Sequence, residues 1–275
     1  MPELPEVETY IRGLAPLLHG KCIVGAHVYW PRIVAVPEDV EAFTTLIQGR
    51  CFAHFDRRGK YMLFGLDSGE TLIVHLRMTG ELRVHAAEQP RDKHTHLVLA
   101  LDSGERLHYR DQRKFGRVWL VDNPDRVLAK LGPEPLSSDF TPALLVGALK
   151  NRVAAVKALL LDQSIVAGVG NIYADEALFR AGIDPRRAGG DLKDAEIERL
   201  WQSVRAVLQM GIELRGSSLG SGPQNYTPPD GEPGAAQASH QVFRRTGLPC
   251  TVCGAPVERV VLAQRSTHFC PHCQR

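Results

Sequence analysis

Apolar positions Val7, Ile11, Leu14 and Leu18 recur at helical spacing, with Tyr10 and Leu17 widening the same face. Gly20 supplies a stop, so a helix of roughly four turns is predicted to follow Pro2. From Ile23 to Asp122 the pattern changes to short apolar runs. Strands are predicted at Ile23–Trp30, Tyr61–Leu66, Thr71–Leu76, Glu81–His85, His96–Leu101, Arg106–Arg110 and Arg117–Val121, with one short helix at Val40–Ile47. The tetrapeptide Asp-Ser-Gly-Glu stands at Asp67–Glu70 and again at Asp102–Glu105, each time between apolar runs, and predicts two hairpin turns. Many short strands with closely spaced turns predict a β-sandwich or barrel-like domain. Helical spacing returns after a Gly/Pro/Ser-rich stretch beginning at Gly132, over Pro142–Lys150, Val153–Leu161, Ile172–Ala181 and Asp194–Leu214.

The expected class is α+β and multidomain. A β-domain led by a helix occupies 1–131, a linker 132–140, a helical domain 141–239 and a cysteine-bearing ribbon 240–275. Residues 216–239 are rich in Gly, Ser, Pro and Gln, which predicts a mobile loop.

Composition adds little to this picture, and charge somewhat more. At 275 residues there is length for two domains with cores of their own. The apolar run around Val153–Leu161 is broken by Lys157, and no run approaches the ~18 residues of a membrane span. No leader segment is recognised, and the expected location is cytoplasmic. A net charge of +2 does not by itself indicate nucleic acid. Residues 235–275, however, hold Arg244, Arg245, Arg259, Arg265 and Arg275 against the single acid Glu258. Six cysteines, four of them in two tight pairs, favour metal over disulfides and a reducing compartment.

Candidate chemistry begins at Pro2. Removal of Met1, expected before a proline, exposes a secondary amine with Glu3 beside it. An α-amino group has a pKa near ~8 against ~10.4 for lysine, so far more of it is neutral and nucleophilic at pH 7. Attack on an aldehyde carbon gives an iminium, an electron sink for elimination, while the carboxyl moves protons. Taken alone, the same residues read as an ordinary helix start with acids facing the dipole.

Cys250-x2-Cys253, sixteen residues, then Cys270-x2-Cys273 matches the knuckles of a four-thiolate ribbon holding one structural Zn²⁺. A hairpin is expected between the knuckles, with Gln264-Arg265-Ser266-Thr267 near its turn; Arg265 there suits a DNA phosphate or stands solvated. The turn Arg57-Arg58-Gly59-Lys60 either follows a phosphate or is simply solvated. Asp111-Gln-Arg-Lys-Phe-Gly-Arg117 sets Phe115 among cations, and an apolar wedge beside an arginine fits the gap left by an everted base. Met78 offers a second wedge or packs in the core. Gly168-Val-Gly-Asn171 permits close backbone approach, with Asn171 placed to cap the next helix. It lacks the Gly-Lys-Ser/Thr of a nucleotide P-loop, and no nucleotide cofactor is expected.

Several segments in order carry a resemblance: Pro2-Glu-Leu-Pro-Glu-Val-Glu8, Arg58-Gly-Lys-Tyr61, His75-Leu-Arg-Met-Thr-Gly80 and Asp111-Gln-Arg-Lys-Phe-Gly116. Leu161-Asp-Gln163, Val166-Ala-Gly-Val-Gly-Asn-Ile-Tyr-Ala-Asp-Glu176 and the cysteine ribbon complete it. Over nearly its whole length the chain resembles formamidopyrimidine-DNA glycosylase, a bacterial base-excision repair family. The resemblance implies an N-terminal β-sandwich preceded by the catalytic helix, a helix–two-turns–helix domain, and a zinc finger. Damaged double-stranded DNA would lie in the cleft between domains. It implies Pro2 as the nucleophile at C1′, Glu3 as proton donor to the deoxyribose, and Glu6 in support. Lys60 would contact DNA near the lesion, Asn171, Lys157 and Arg265 would hold phosphates flanking the everted nucleotide, and His75 would help position the backbone. Met78, Arg113 and Phe115 would fill the vacated stack, with Arg113 addressing the orphaned cytosine. The implied reaction removes oxidised purines, with β,δ-elimination, by a monomer that needs no membrane.

Two departures bear on the choice among damaged bases. Arg77 stands where the family often has glycine, and Gly234-Ala-Ala-Gln237 where the loop covering the everted base usually ends in a Gly-Ser-Phe-Gln-like segment. Endonuclease VIII shares the nucleophile but prefers oxidised pyrimidines. Leu4, where that branch usually has glycine, and the Arg113–Phe115 loop favour the purine enzyme. A lesion-binding protein that does not cut would be expected to lose Pro2 or Glu3, and a bare zinc-ribbon module leaves the first 240 residues unexplained.

Overall fold

The computed structural model describes residues 2–220 and 226–275. They form two compact units, Met1–Ala129 with Arg215–Gly234, and Lys130–Leu214 with Ala235–Arg275. Part of the loop expected over 216–239, residues 221–225, lies outside the described residues.

The first unit opens with α1 (Leu4–Leu18) and continues through β1 (Ile23–Val28), β2 (Val34–Val36), α2 (Val40–Ile47), β3 (Phe52–Arg58) and β4 (Tyr61–Leu66). It goes on through β5 (Thr71–His75), β6 (Gly80–His85), β7 (Thr95–Leu101), β8 (Arg106–Asp111), β9 (Arg117–Val121) and α3 (Asp125–Leu128). One sheet runs β1-β7-β8-β6 and the other β2-β9-β5-β4-β3, and every pairing is antiparallel except β2 with β9. Buried Leu14 and Leu18 of α1 join Phe52, Phe64, Leu72, Leu82, Leu99 and Tyr109 from both sheets in one core. The unit is a β-sandwich led by a helix.

Strands β2 and β3 are not legible in the hydrophobic pattern. The first is three residues long, and three of the seven residues of β3 are charged, so apolar alternation does not carry it. The repeated Asp-Ser-Gly-Glu turns close the β4–β5 and β7–β8 hairpins. Each aspartate also accepts a backbone N–H from a cysteine, Cys51 to Asp67 at 2.9 Å and Cys22 to Asp102 at 3.1 Å. These two cysteines are bridge partners joined by a disulfide, contrary to the expectation that the cysteines favour metal over disulfides.

The second unit contains α4 (Pro142–Leu149), α5 (Val156–Leu161), α6 (Asn171–Ala181) and α7 (Asp194–Glu213), then a hairpin of β10 (Glu258–Leu262) and β11 (Arg265–Phe269). Helix α5 starts later than its apolar pattern because Ala155 is taken up in a bridge with Ala188, leaving Val153 94% exposed. The two turns between α5 and α6 are stitched by Gln163. Its amide donates to the carbonyls of Leu161 and Val169, and its oxygen accepts from Gly168 N–H, all at 2.9 Å. Gly170 is the N-cap of α6 and Asn171 its first helical residue, so Asn171 does not cap as expected. Among the described residues, no helix is long and apolar enough to cross a membrane.

Candidate active site

Helix α1 does not begin at Pro2. Glu3 is its N-cap and Pro5 lies in its first turn, so Pro2 precedes the helix. Glu6 reaches back with Oε2 to accept the Glu3 N–H at 2.8 Å, satisfying one of the donors a helix start leaves open. Its other oxygen, Oε1, accepts the Ser217 N–H, also at 2.8 Å. Glu3 is 3% exposed and Glu6 is buried beside it. The approach of 217 requires Gly216, whose φ is +79° and where a Cβ would lie 2.8 Å from Glu6 Cγ. Tyr10 and Tyr226 fix the neighbourhood edge to face, and the Tyr10 hydroxyl donates to the Thr227 carbonyl at 3.1 Å. Pro2, itself buried, is thereby held beside the buried Glu3 carboxyl.

Lys60 lies in the β3–β4 turn and is buried. Arg57, near the end of β3, donates to Glu8 Oε2 at 2.9 Å. His75 ends β5 under the edge of Tyr61, ring centroids 4.5 Å apart. Burial, then the charges of Arg77 and Lys60, depress its pKa to about 3. Its Nδ1 accepts the Arg77 N–H at 2.9 Å, so the neutral ring carries its proton on Nε2. Arg77 has φ 55°, in the left-handed region, which gives a physical reason for glycine at this position.

The 112–116 loop is organised by Asp111, a buried residue. Its Oδ1 accepts from Thr79 Oγ1 at 2.5 Å and from Arg113 N–H at 3.1 Å. Oδ2 accepts the N–H groups of Phe115 at 2.8 Å and Gly116 at 2.7 Å. No side chain fits at 116, where a Cβ would meet the Tyr109 hydroxyl at 1.8 Å. The outcome is an outward-facing pair: Phe115 is 49% exposed, and the Arg113 guanidinium sits 4.7 Å from its ring centre. Met78, on the β5–β6 connection, is half-buried. Pro2, Glu3, Glu6, Lys60, His75, Met78, Arg113 and Phe115 thus all belong to the first unit.

In the second unit, Arg265 is exposed and opens β11 directly after the hairpin turn. Asn171 donates from Nδ2 to the Ser266 carbonyl at 3.0 Å. Lys157 departs from expectation. It is fully buried, 2.7 Å from Asp175 Oδ1, and donates to the Ser266 carbonyl at 2.8 Å and to Thr267 Oγ1 at 2.9 Å. The ammonium is enclosed by protein groups rather than presented at the surface.

The sulfur atoms of Cys250, Cys253, Cys270 and Cys273 all lie within 4.8 Å of one another. Cys250 and Cys273 are 3.9 Å apart, and Cys253 and Cys270 3.5 Å. A tetrahedron with Zn–S bonds of ~2.3 Å has edges of about 3.8 Å, so the set fits zinc. Burial and the neighbouring sulfurs push the Cys273 thiol up, and a divalent cation reverses that by favouring thiolates. Neither histidine nearby joins the set: His268 pairs with Asp175 and His272 is exposed. The four cysteines hold one structural Zn²⁺.

Sequence reasoning missed Asp111, Ser217 and the buried acids of α6. The available signal was Asp175-Glu176 flanked by the apolar Ile172, Tyr173, Ala174, Ala177, Leu178 and Phe179; Glu176 accepts three N–H groups, from Gln241, Val242 and Phe243, at 2.8 to 3.0 Å.

A helix-led β-sandwich, a helix–two-turns–helix unit and a four-thiolate finger define a class of zinc-finger DNA repair glycosylases. Family profiles of the formamidopyrimidine-DNA glycosylase N-terminal domain, its H2TH domain, and a zinc finger found in FPG and IleRS match residues 1–118, 131–222 and 247–275. The formamidopyrimidine-DNA glycosylases of Geobacillus kaustophilus and Herpetosiphon aurantiacus are 47% and 48% identical, over all of this chain and all of theirs. The MutM (Fpg) crystal structure from Thermus thermophilus superposes with a TM-score of 0.89 at 45% identity, covering 99% of this chain and 98% of that one. A Lactococcus lactis Fpg mutant in complex with Fapy-dG-containing DNA gives 0.92 at 38%, covering both chains completely. The chain belongs to the formamidopyrimidine-DNA glycosylase family: it is a base-excision repair DNA glycosylase with AP lyase activity, in a family whose typical substrates are oxidised purines.

Proposed function

We propose that Pro2 is the nucleophile and Glu3 the proton donor of this reaction, acting on duplex DNA as a monomer without a nucleotide cofactor. The observation that carries the reading is Glu6, clamped between the Glu3 and Ser217 N–H groups, which holds the first residues against a rigid helix. The neutral Pro2 nitrogen attacks C1′, the bond from C1′ to the damaged base breaks, and the base leaves with a proton. Glu3 protonates the sugar ring oxygen as the ring opens. The iminium that remains acidifies C2′–H, β-elimination breaks the C3′–O bond to the 3′ phosphate, δ-elimination breaks the C5′–O bond to the 5′ phosphate, and water then hydrolyses the iminium, releasing the sugar as an aldehyde and restoring the Pro2 amine. Lys60 and neutral His75 contact DNA near the lesion, and Asn171 and Arg265 take its flanking phosphates. The test is borohydride reduction of the enzyme mixed with duplexes carrying 8-oxoguanine or an oxidised pyrimidine. An adduct located on Pro2, stronger with the purine, is expected; equal or stronger trapping on the pyrimidine overturns the substrate reading.

Arg113 is the reader of the opposite base in this proposal, with Phe115 and Met78 filling the stack. A guanidinium fork can make two charge-assisted bonds to the acceptors of an unpaired cytosine, whereas adenine offers a donor at the corresponding edge. Losing such a contact costs about 1–3 kcal/mol, roughly ten- to hundredfold in discrimination. Arg113→Ala therefore lowers 8-oxoguanine excision opposite cytosine much further than opposite adenine. An equal drop against both partners, with a shallower salt dependence, would make Arg113 a phosphate contact instead.

A further inference from the structure

We propose that the buried Lys157–Asp175 pair is a positioning device for the phosphate grip of Asn171 and Arg265. It acts on DNA through the Ser266 carbonyl and never touches the DNA itself. The inference rests on the phosphate role assigned above to those two residues. Helix α5 contributes Lys157, while α6 contributes Asn171 and, one turn later, Asp175. Lys157 Nζ lies 2.7 Å from Asp175 Oδ1 as an ion pair and donates to the Ser266 carbonyl and to Thr267 Oγ1, at 2.8 and 2.9 Å. The second oxygen of Asp175 accepts both the backbone N–H and the Nδ1–H of His268, each at 3.0 Å. Three successive residues of β11 are thus fixed to the helices, and the Ser266 carbonyl is shared between Lys157 and the Asn171 amide.

Arg265 is the residue immediately before this anchored run. Its Cα cannot shift along the strand without breaking the charge-assisted bonds behind it. Nor can Asn171 move away, because its amide is tied to the same carbonyl. The pair therefore sets the spacing between an exposed guanidinium and an amide on a different element, as one phosphate held by both would require. Both charges are fully buried, and removing two charges from water is expensive. Specifying a geometry is a reason to retain such a pair where an apolar pair would pack as well.

The test uses full-length protein and a duplex bearing a tetrahydrofuran abasic analogue, with Kd measured across a range of salt and zinc measured on every variant. Arg265→Ala should flatten the log Kd against log salt slope by about one, the signature of one lost phosphate contact. Asp175→Asn should keep its zinc and flatten the slope equally, and the double variant should match either single one. Should Asp175→Asn lose zinc, Lys157→Met with Asp175→Asn replaces it, leaving no unpaired buried charge and an acceptor for His268. A zinc-loaded variant with the wild-type slope overturns the proposal, as do losses that simply add to those of Arg265→Ala. Arg265→Ala with an unchanged slope overturns the phosphate reading beneath it, and does so in a protein whose buried pair is intact.

Discussion

Retaining Met1, or placing any residue before Pro2, abolishes borohydride trapping and strand cleavage while binding to an abasic-analogue duplex persists. The extension turns a secondary amine into a tertiary amide with no nucleophilic lone pair. No nearby backbone nitrogen can replace it, because the Glu3 N–H is held by Glu6 at 2.8 Å and amides do not add to C1′. Removing a nucleophile from a site whose groups act together costs on the order of a thousandfold or more in rate. Lys60, buried in the β3–β4 turn, is a competing amine on this unit. Peptide mass spectrometry of the reduced adduct decides between them: an adduct on Lys60, or undiminished trapping by the extended chain, would remove Pro2 from the mechanism.

Cys253→Ser should lose both zinc and DNA affinity while the β-sandwich stays folded. A structural zinc contributes about 10 kcal/mol, in apparent terms, to the folding of a small domain. The apolar cluster behind the finger is small, with Phe179 of α6 and Val242, Cys250, Ala255, Val257 and Cys270 at its centre. The finger has little else to fold around. Two of the cluster's members are themselves ligands, so loss of the metal also loosens the packing behind the hairpin that carries Arg265. Metal analysis, DNA titration and near-ultraviolet circular dichroism of the variant read the three outcomes separately. Full DNA affinity in a zinc-free variant would refute the requirement.

Much of this architecture could be read from the sequence, for identifiable reasons. Helix α1 and the strands β4 to β9 carry strong apolar periods, and the paired cysteines have a spacing that few other roles demand. Pro2, Glu3 and Arg113 stood out because their chemistry is unusual for their position. What escaped notice is what three-dimensional packing alone brings together. Lys157 reads as an accessible cation in a short amphipathic helix until Asp175, on the next helix, is found 2.7 Å away. Asp111 looks like one more polar residue ahead of a loop, and only the loop's backbone shows it to be the hub. Ser217 contributes a main-chain N–H, which no side-chain pattern can announce.

The way that hub is built has a consequence for evolvability. Asp111 holds Arg113, Phe115 and Gly116 by their backbone amides, and Thr79 assists from outside the loop. An amide donor is the same whichever side chain it carries, proline excepted. Positions 113 and 115 are therefore interchangeable parts on a fixed mount, and Lys114, with φ 58°, tolerates glycine or asparagine best. A lineage, or a laboratory library, can replace the outward-facing pair without renegotiating the scaffold, provided Asp111, Thr79 and Gly116 are left alone. New partner preferences are then reachable by single substitutions, each sampled in a protein that still folds.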